Sequence, residues 1–324
     1  MNFADTKSQG LYSKLPQLKP KSRPDGAKAR AKAMDGTPEE RAEYVERVML
    51  SVQSYTQCHD LADDLIQRTG VLRFPGGMLV VGEGGEGKTF LAEKIAERYP
   101  ASDELIGFSK PVLVVSLADS PSEKEFFSRM YAAIGQTKIP QQHVEQNGAI
   151  KTLARALNTC GVRLIFFDEA QTLWVMTASR RSKGRVAGPI GEKIKALYDE
   201  SGIAIIFLAN PSLEEMFDLD KQTFTRWSLR QRLKSPDFGP DYIGRLNAWD
   251  EALPMAIPSG LGKEHIAKHI HEFTKANFRL DRMFFANCVR TAASEGLSCL
   301  TPAVLNKGLY LTFGTSDSPF KKGG

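Results

Sequence analysis

Residues 82–89 read Gly82-Glu83-Gly84-Gly85-Glu86-Gly87-Lys88-Thr89, which fits G-x-x-x-x-G-K-[ST] at every fixed position. Upstream lies Met78-Leu79-Val80-Val81, a continuous apolar run of the kind buried on both faces of a sheet. Downstream, residues 89–98 read as a helix. Strand, glycine-rich turn and helix are the context this pattern requires. The glycines let the backbone curl so that successive N–H groups converge on an anion. The helix N-terminus adds its positive end. The expected ligand is therefore a nucleotide polyphosphate, with Lys88 reaching the β- and γ-phosphates and Thr89 holding Mg²⁺. The eight loop residues, with Phe90 after them, form the expected nucleotide-binding segment.

Such a loop needs a second half that binds metal and activates water. Leu164-Ile165-Phe166-Phe167-Asp168-Glu169 is an apolar strand ending in two acids. A carboxylate at the end of a strand beside the loop strand reaches the metal shell, so Asp168 is expected there. Glu169 then orients or deprotonates the attacking water. Ile205-Ile206-Phe207-Leu208-Ala209-Asn210 is another buried strand, ending in an amide that suits either a γ-phosphate contact or the turn before Pro211. Arg226, Arg230 and Arg232 cluster further on. They suit a cation offered to a neighbouring subunit's γ-phosphate, or an exposed basic helix face.

Buried-strand patterns also fall at 112–116, 163–167 and 204–208, with helical patterns at 122–134, 149–158 and 190–200. Strands alternating with helices predict an α/β fold, a parallel sheet with helices on both faces. Thr37-Pro38-Glu39-Glu40 is a helix start with a capping hydroxyl, proline at the first helical position and acids in the first turn. After about Pro254 the pattern is helical only, at 263–275, 280–295 and 301–313. The expected organisation is a flexible basic arm over 1–36, an ATPase domain with N-terminal helices over 37–253, and a small all-helical lid with a C-terminal tail over 254–324.

The formal net charge is +5. Residues 1–36 hold eight lysines and arginines against three aspartates, so the arm carries the whole excess. That suits either contact with nucleic-acid phosphates or a solvated tail. No apolar run approaches the roughly 18 residues of a membrane helix, and the N-terminus lacks an apolar secretory segment. The four scattered cysteines form no Cys-x-x-Cys pair and read as free thiols. The expectation is a cytoplasmic protein without membrane contact.

The phosphate loop, the Asp-Glu pair, the strand-end Asn, the downstream arginines and the helical lid together resemble the AAA+ ATPases over roughly residues 40–313. Asp168-Glu169-Ala170-Gln171, the compact size and the paired helices before the loop are similar to the transposition-regulator branch that contains TnsC, TniB and the phage Mu B protein. The resemblance makes residues 82–89 Walker A, Asp168 and Glu169 Walker B, Asn210 sensor 1 and Arg232 the first choice of arginine finger. It implies ATP and Mg²⁺ as cofactors, duplex DNA as a partner, and homo-oligomeric rings or helical filaments on that DNA. It also implies recruitment of a DDE transposase and, in some systems, a TniQ-type targeting protein. The loop 177–189, with Arg180, Arg181, Lys183 and Arg185, looks longer than this family usually has there, and its charge suits either projection toward DNA or a solvated excursion. These four cations, with Lys124 and Lys138 flanking the helix after the second strand, are the candidate DNA contacts. AAA+ lids often carry an arginine in a Gly-x-x-Arg-like setting. Residues 295–302 hold none, and Arg290 is the nearest substitute. Two other functions fit the same motifs: a helicase- or clamp-loader-like ATPase, and an NTPase switch or chaperone that binds no nucleic acid.

Overall fold

In the computed structural model, described for residues 18–21, 26–50, 52–104, 107–119, 121–136, 148–173 and 188–321, helices and strands alternate as follows. The elements are α1 (Gly26–Met34), α2 (Pro38–Arg47), α3 (Gln53–Arg68), β1 (Gly77–Val81), α4 (Lys88–Arg98), β2 (Ser102–Glu104), β3 (Gly107–Ser109), β4 (Val112–Ser116) and α5 (Glu123–Ala133). They continue with α6 (Ala149–Thr159), β5 (Leu164–Asp168), α7 (Pro189–Ser201), β6 (Ala204–Ala209), α8 (Ser212–Leu219), α9 (Lys221–Arg226) and β7 (Leu229–Arg232). The last are α10 (Pro240–Ala252), α11 (Glu264–Thr274), α12 (Phe278–Ser294) and α13 (Pro302–Phe313).

The chain divides into two compact units. Of the described residues, the first holds those in 18–21, 54–83 and 88–233. The second holds residues 23–53, Gly84–Gly87 and residues 234–324. These divisions differ from the boundaries expected at 36/37 and 253/254: α1, α2 and α10 count with the C-terminal helices. Residues 26–34, inside the expected arm, form a helix.

The first unit is built on a sheet ordered β4-β5-β6-β1-β7, parallel at every pairing. Every residue of β1, β5 and β6 is buried. Since successive side chains point to opposite faces, both faces are covered, and this explains the uninterrupted apolar runs. The core is rich in rings. Phe207 stacks on Phe167 at 5.8 Å and meets Trp227 edge-on at 5.0 Å. Each fully buried ring of this size contributes on the order of 2–3 kcal/mol. Gly77 is fixed by this packing, because a Cβ there would lie 2.2 Å from the Trp227 ring and 2.3 Å from the Ile205 carbonyl.

β7 was not expected as a strand. It pairs with β1 in the register Val81↔Arg232, so Arg230 and Arg232 lie on a sheet edge rather than a helix face. Its approach is set by Asp220, which caps α9 by accepting from Gln222 N (3.0 Å) and Thr223 N (3.3 Å) and binds Lys195 of α7 at 2.6 Å. Burial alone would raise this carboxyl, but the Lys195 and Thr223 bonds prevail and hold it below its ordinary range.

In the second unit α2 and α13 both pack against α12. The expected cap at Thr37 is a full capping box: Glu40 N donates to Thr37 Oγ1 (3.2 Å) and Thr37 N to Glu40 Oε2 (2.8 Å). Arg30 of α1 donates to the carbonyls of Leu253 (2.7 Å) and Met255 (2.6 Å), which explains why a basic segment is ordered here. Trp249, Phe278 and Phe285 form the apolar centre. The four cysteines are free, and burial pushes the Cys58 thiol up to about 12. Among the described residues no helix is long and apolar enough to cross a membrane.

Asp281 is fully buried in this unit. Burial raises its carboxyl to about 6, against the lowering effect of Thr274, Arg245 and Tyr242; Glu86 raises it further. The native chain therefore keeps this proton at a pH where the unfolded chain has lost it. The stabilisation is full below the ordinary carboxylate value of 3.8 and is lost as pH rises through about 6. Asp281→Asn removes the titration at nearly constant size. Wild-type stability relative to this variant should fall by roughly 2–3 kcal/mol between pH 4 and pH 7. Urea midpoints of both proteins across that range test this; parallel profiles would refute it.

Candidate active site

The C-terminal ends of β1, β5 and β6 gather the polar residues in the first unit. Gly82 N donates to Ala209 O (3.1 Å), tying the start of the loop to the end of β6. Lys88 opens α4, and its Nζ donates to the carbonyls of Gly82 (2.6 Å) and Glu83 (3.0 Å). The ammonium is thus held across the mouth of its own loop. Thr89 Oγ1 donates to Asp168 Oδ2 at 2.5 Å, across 79 residues of sequence. A hydroxyl and a carboxylate this close are hard oxygen donors of the kind Mg²⁺ takes, in small number, alongside substrate phosphate. The residues present therefore fit the metal. Phe90 is half-buried on α4 and carries Lys94 Nζ over its ring at 5.2 Å.

Glu169 follows on the solvent side. It is exposed, whereas Asp168 is buried. Its φ of 56° lies in the left-handed region, which costs a non-glycine residue on the order of 1–3 kcal/mol. Several bonds hold it there. Glu169 N donates to Asp168 Oδ1 (2.9 Å), Thr172 N and Oγ1 donate to Glu169 O (3.2 and 3.0 Å), and Gln171 Nε2 donates to the Glu169 carboxylate. Asn210 sits one residue past β6. Its Oδ1 accepts from Ser212 N (3.2 Å) and Ser212 Oγ. Asn210 therefore does form the turn at Pro211, and its amide nitrogen stays available to a ligand.

In the second unit the tip of the loop, Gly84–Gly87, has its own set of partners. Asn277 Nδ2 donates to Gly84 O (2.7 Å), and Arg279 N donates to Gly85 O (3.0 Å). Gly85 has φ 87°, and a Cβ there would lie 2.4 Å from Asn277 Oδ1. Glu86 is buried and accepts from Ser235 Oγ, which also meets Ala276 O (2.9 Å). Arg279 was not among the expected site residues. It lies in the first turn of α12, in Ala276-Asn277-Phe278-Arg279, and Ala276 takes φ 55°. That is the Gly-x-x-Arg-like setting, with alanine in the left-handed conformation that glycine ordinarily supplies.

The three clustered arginines differ in availability. Arg226 grips Asp199 through Nε (3.0 Å) and NH2 (2.6 Å). Arg230 lies over the Phe217 ring at 5.4 Å, and burial lowers its guanidinium below its ordinary range. Arg232 pairs with Glu214, yet its side chain is 61% exposed. Lys124 is exposed on α5. Lys138, Arg180, Arg181, Lys183 and Arg185 lie outside the described residues.

The fold recurs in solved structures. Cdc6p from Pyrobaculum aerophilum matches with a TM-score of 0.50 at 16% identity, over 79% of this chain and 66% of that one. The ORC2 protein of Aeropyrum pernix, solved as ADPNP–ADP complexes, matches with a TM-score of 0.52 at 17% identity, over 82% and 68%. Drosophila ORC bound to DNA matches with a TM-score of 0.52 at 13% identity, over 92% and 68%. The chain spans about two thirds of the length of these structures. No curated protein sequence matches it. Fold and site define an ATPase of the AAA+ class. The profile of the bacterial TniB protein family matches residues 42–234, more than half of the chain and all of the loop, Asp-Glu and Asn210 positions. The chain belongs to the TniB family.

Proposed function

We propose that this chain is an ATP-dependent regulator of DNA transposition in the cytoplasm. ATP binding assembles copies of it on duplex DNA as a ring or helical filament. The assembly recruits and activates a DDE transposase and meets a TniQ-type targeting protein, and hydrolysis releases it. The observation that carries this reading is the Thr89–Asp168 pair beside Lys88, set inside the segment that matches the TniB family. The DNA-bound state of a structural relative supports the nucleic-acid part.

In this reading the loop N–H groups and Lys88 hold the β- and γ-phosphates, while Thr89 and Asp168 hold Mg²⁺. The metal, when bound, neutralises charge on the phosphate oxygens. Glu169 orients the attacking water, and Asn210 offers its amide nitrogen to that water or to the γ-phosphate. Arg232 acts across a subunit interface, because its exposed ion pair with Glu214 is weak and easily exchanged. Arg232→Ala should then hydrolyse ATP slowly while binding it normally, and mixing with Lys88→Ala subunits should restore turnover. No rescue on mixing would exclude a shared site through Arg232.

The DNA reading is tested with the full chain on duplexes of unrelated sequence, with ATP, with ADP and without nucleotide. ATP should tighten binding to all duplexes alike, because lysine and arginine contacts to phosphate read no bases. Lys88→Ala measures what the basic arm binds without nucleotide. Neutralising Arg180, Arg181, Lys183 and Arg185 together should flatten the salt dependence by about one unit for each DNA phosphate that no longer meets a cation. No ATP-dependent shift at low salt would favour an NTPase switch that binds no nucleic acid.

A further inference from the structure

Gln171 lies in the 3-10 turn Ala170–Leu173 that follows β5. Its amide is used at both ends. Nε2 donates to the Glu169 carboxylate, and Oε1 accepts from Asn210 N at 3.3 Å. The two partners fix which end points where: a backbone N–H must meet oxygen, and a carboxylate must meet the NH₂ group. Only a side-chain amide of this length satisfies both. A carboxylate in its place would face that of Glu169, and an apolar chain would bond to neither. Asn210 is anchored in turn, since its Oδ1 is held by Ser212. A continuous path of hydrogen bonds therefore runs from the Glu169 carboxylate to the end of β6. Glu169 needs such a restraint, because it is exposed and its backbone is held at φ 56°.

We infer that Gln171 is a positioning residue for ATP hydrolysis, which holds the Glu169 carboxylate in register with the Asn210 end of β6. The inference rests on the reading of Glu169 as the group that orients water. Gln171 itself touches no phosphate; it sets the direction in which the carboxylate acts. Misplacement of a reacting group by about 1 Å can cost roughly 100-fold in rate, and that is the scale on which loss of the tether is expected.

The test is steady-state ATP hydrolysis by the full chain carrying Gln171→Met, Gln171→Glu, Glu169→Gln, or Glu169→Gln with Gln171→Met, with thermal midpoints for each. Both Gln171 variants should lose roughly 10- to 100-fold in kcat, with KM for ATP within about twofold of wild type. In the Glu169→Gln background Gln171→Met should add nothing, because a residue acting through Glu169 has no effect once that carboxylate is gone. If both Gln171 variants keep wild-type kcat while Glu169→Gln is inactive, the inference is overturned and the role of Glu169 stands. An independent further loss in the double variant also overturns it. Wild-type turnover by Glu169→Gln removes the reading of Glu169 and this inference together. The Gln171→Glu arm keeps the size and the acceptor for Asn210 N, so the inference stays open to refutation even if Gln171→Met folds poorly.

Discussion

Lys88→Ala should weaken ATP binding by roughly 100-fold or more, which corresponds to about 3 kcal/mol. The argument begins with the loop's charge. Residues 82–89 hold two carboxylates, Glu83 and Glu86, and a single cation, Lys88. Without that cation a polyphosphate meets a segment of its own sign. The backbone N–H groups and the helix N-terminus remain, but they supply partial charges only. Hydrogen bonds from an ionised donor contribute about 1.5–3 kcal/mol each, and Lys88 makes two even to neutral carbonyls. Glu83 is exposed, so its carbonyl meets water in the variant, and Lys88 itself is only half-buried. The fold should therefore survive. Calorimetric titration with ATP and Mg²⁺ reads the effect directly, and an affinity equal to wild type would remove Lys88 from the site.

How much of this was legible depended on whether a residue's environment left a pattern in its own neighbourhood. β1, β5 and β6 are buried on both faces, so their apolar runs stand out. Thr37 announces α2 because capping is a local interaction over three residues. β7 does the reverse. Leu229-Arg230-Gln231-Arg232 lies at a sheet edge, largely polar, and only its pairing with β1 makes it a strand. The hairpin of β2 and β3 is too short to show a period. α1 was concealed by its lysines and arginines, which read as a solvated arm until Arg30 met two carbonyls more than 220 residues away. The loop and the acid pair needed no tertiary information, because chemistry fixes their residue types and their spacing from a strand. The two bonds of Gln171 arise only when the ends of β5 and β6 lie side by side, and no sequence pattern encodes that pairing.

Glu169→Gln should bind ATP as wild type does and hydrolyse it roughly 100- to 1,000-fold more slowly, within the range usual for loss of a general base. The substitution keeps size and shape. Glutamine adopts the backbone at φ 56° no less readily than glutamate, and the bonds from Thr172 and to Asp168 involve the backbone of residue 169, so they are unaffected. The remaining side-chain oxygen can still accept from Gln171 Nε2. Lys88, Thr89 and Asp168 are untouched, so the phosphate contacts persist and affinity should be unchanged. Only the negative charge and proton-accepting capacity at the water position are lost. That separates Glu169 from Asp168, whose buried carboxylate is bonded to Thr89 and whose removal would disturb binding itself. If hydrolysis releases the protein from DNA, complexes of the variant with duplex and ATP should outlast wild-type complexes by a similar factor. Single-turnover hydrolysis measured beside equilibrium ATP binding distinguishes the possibilities. Weakened binding would mean that Glu169 supports the loop or the metal, and an unchanged rate would mean that another group directs the water.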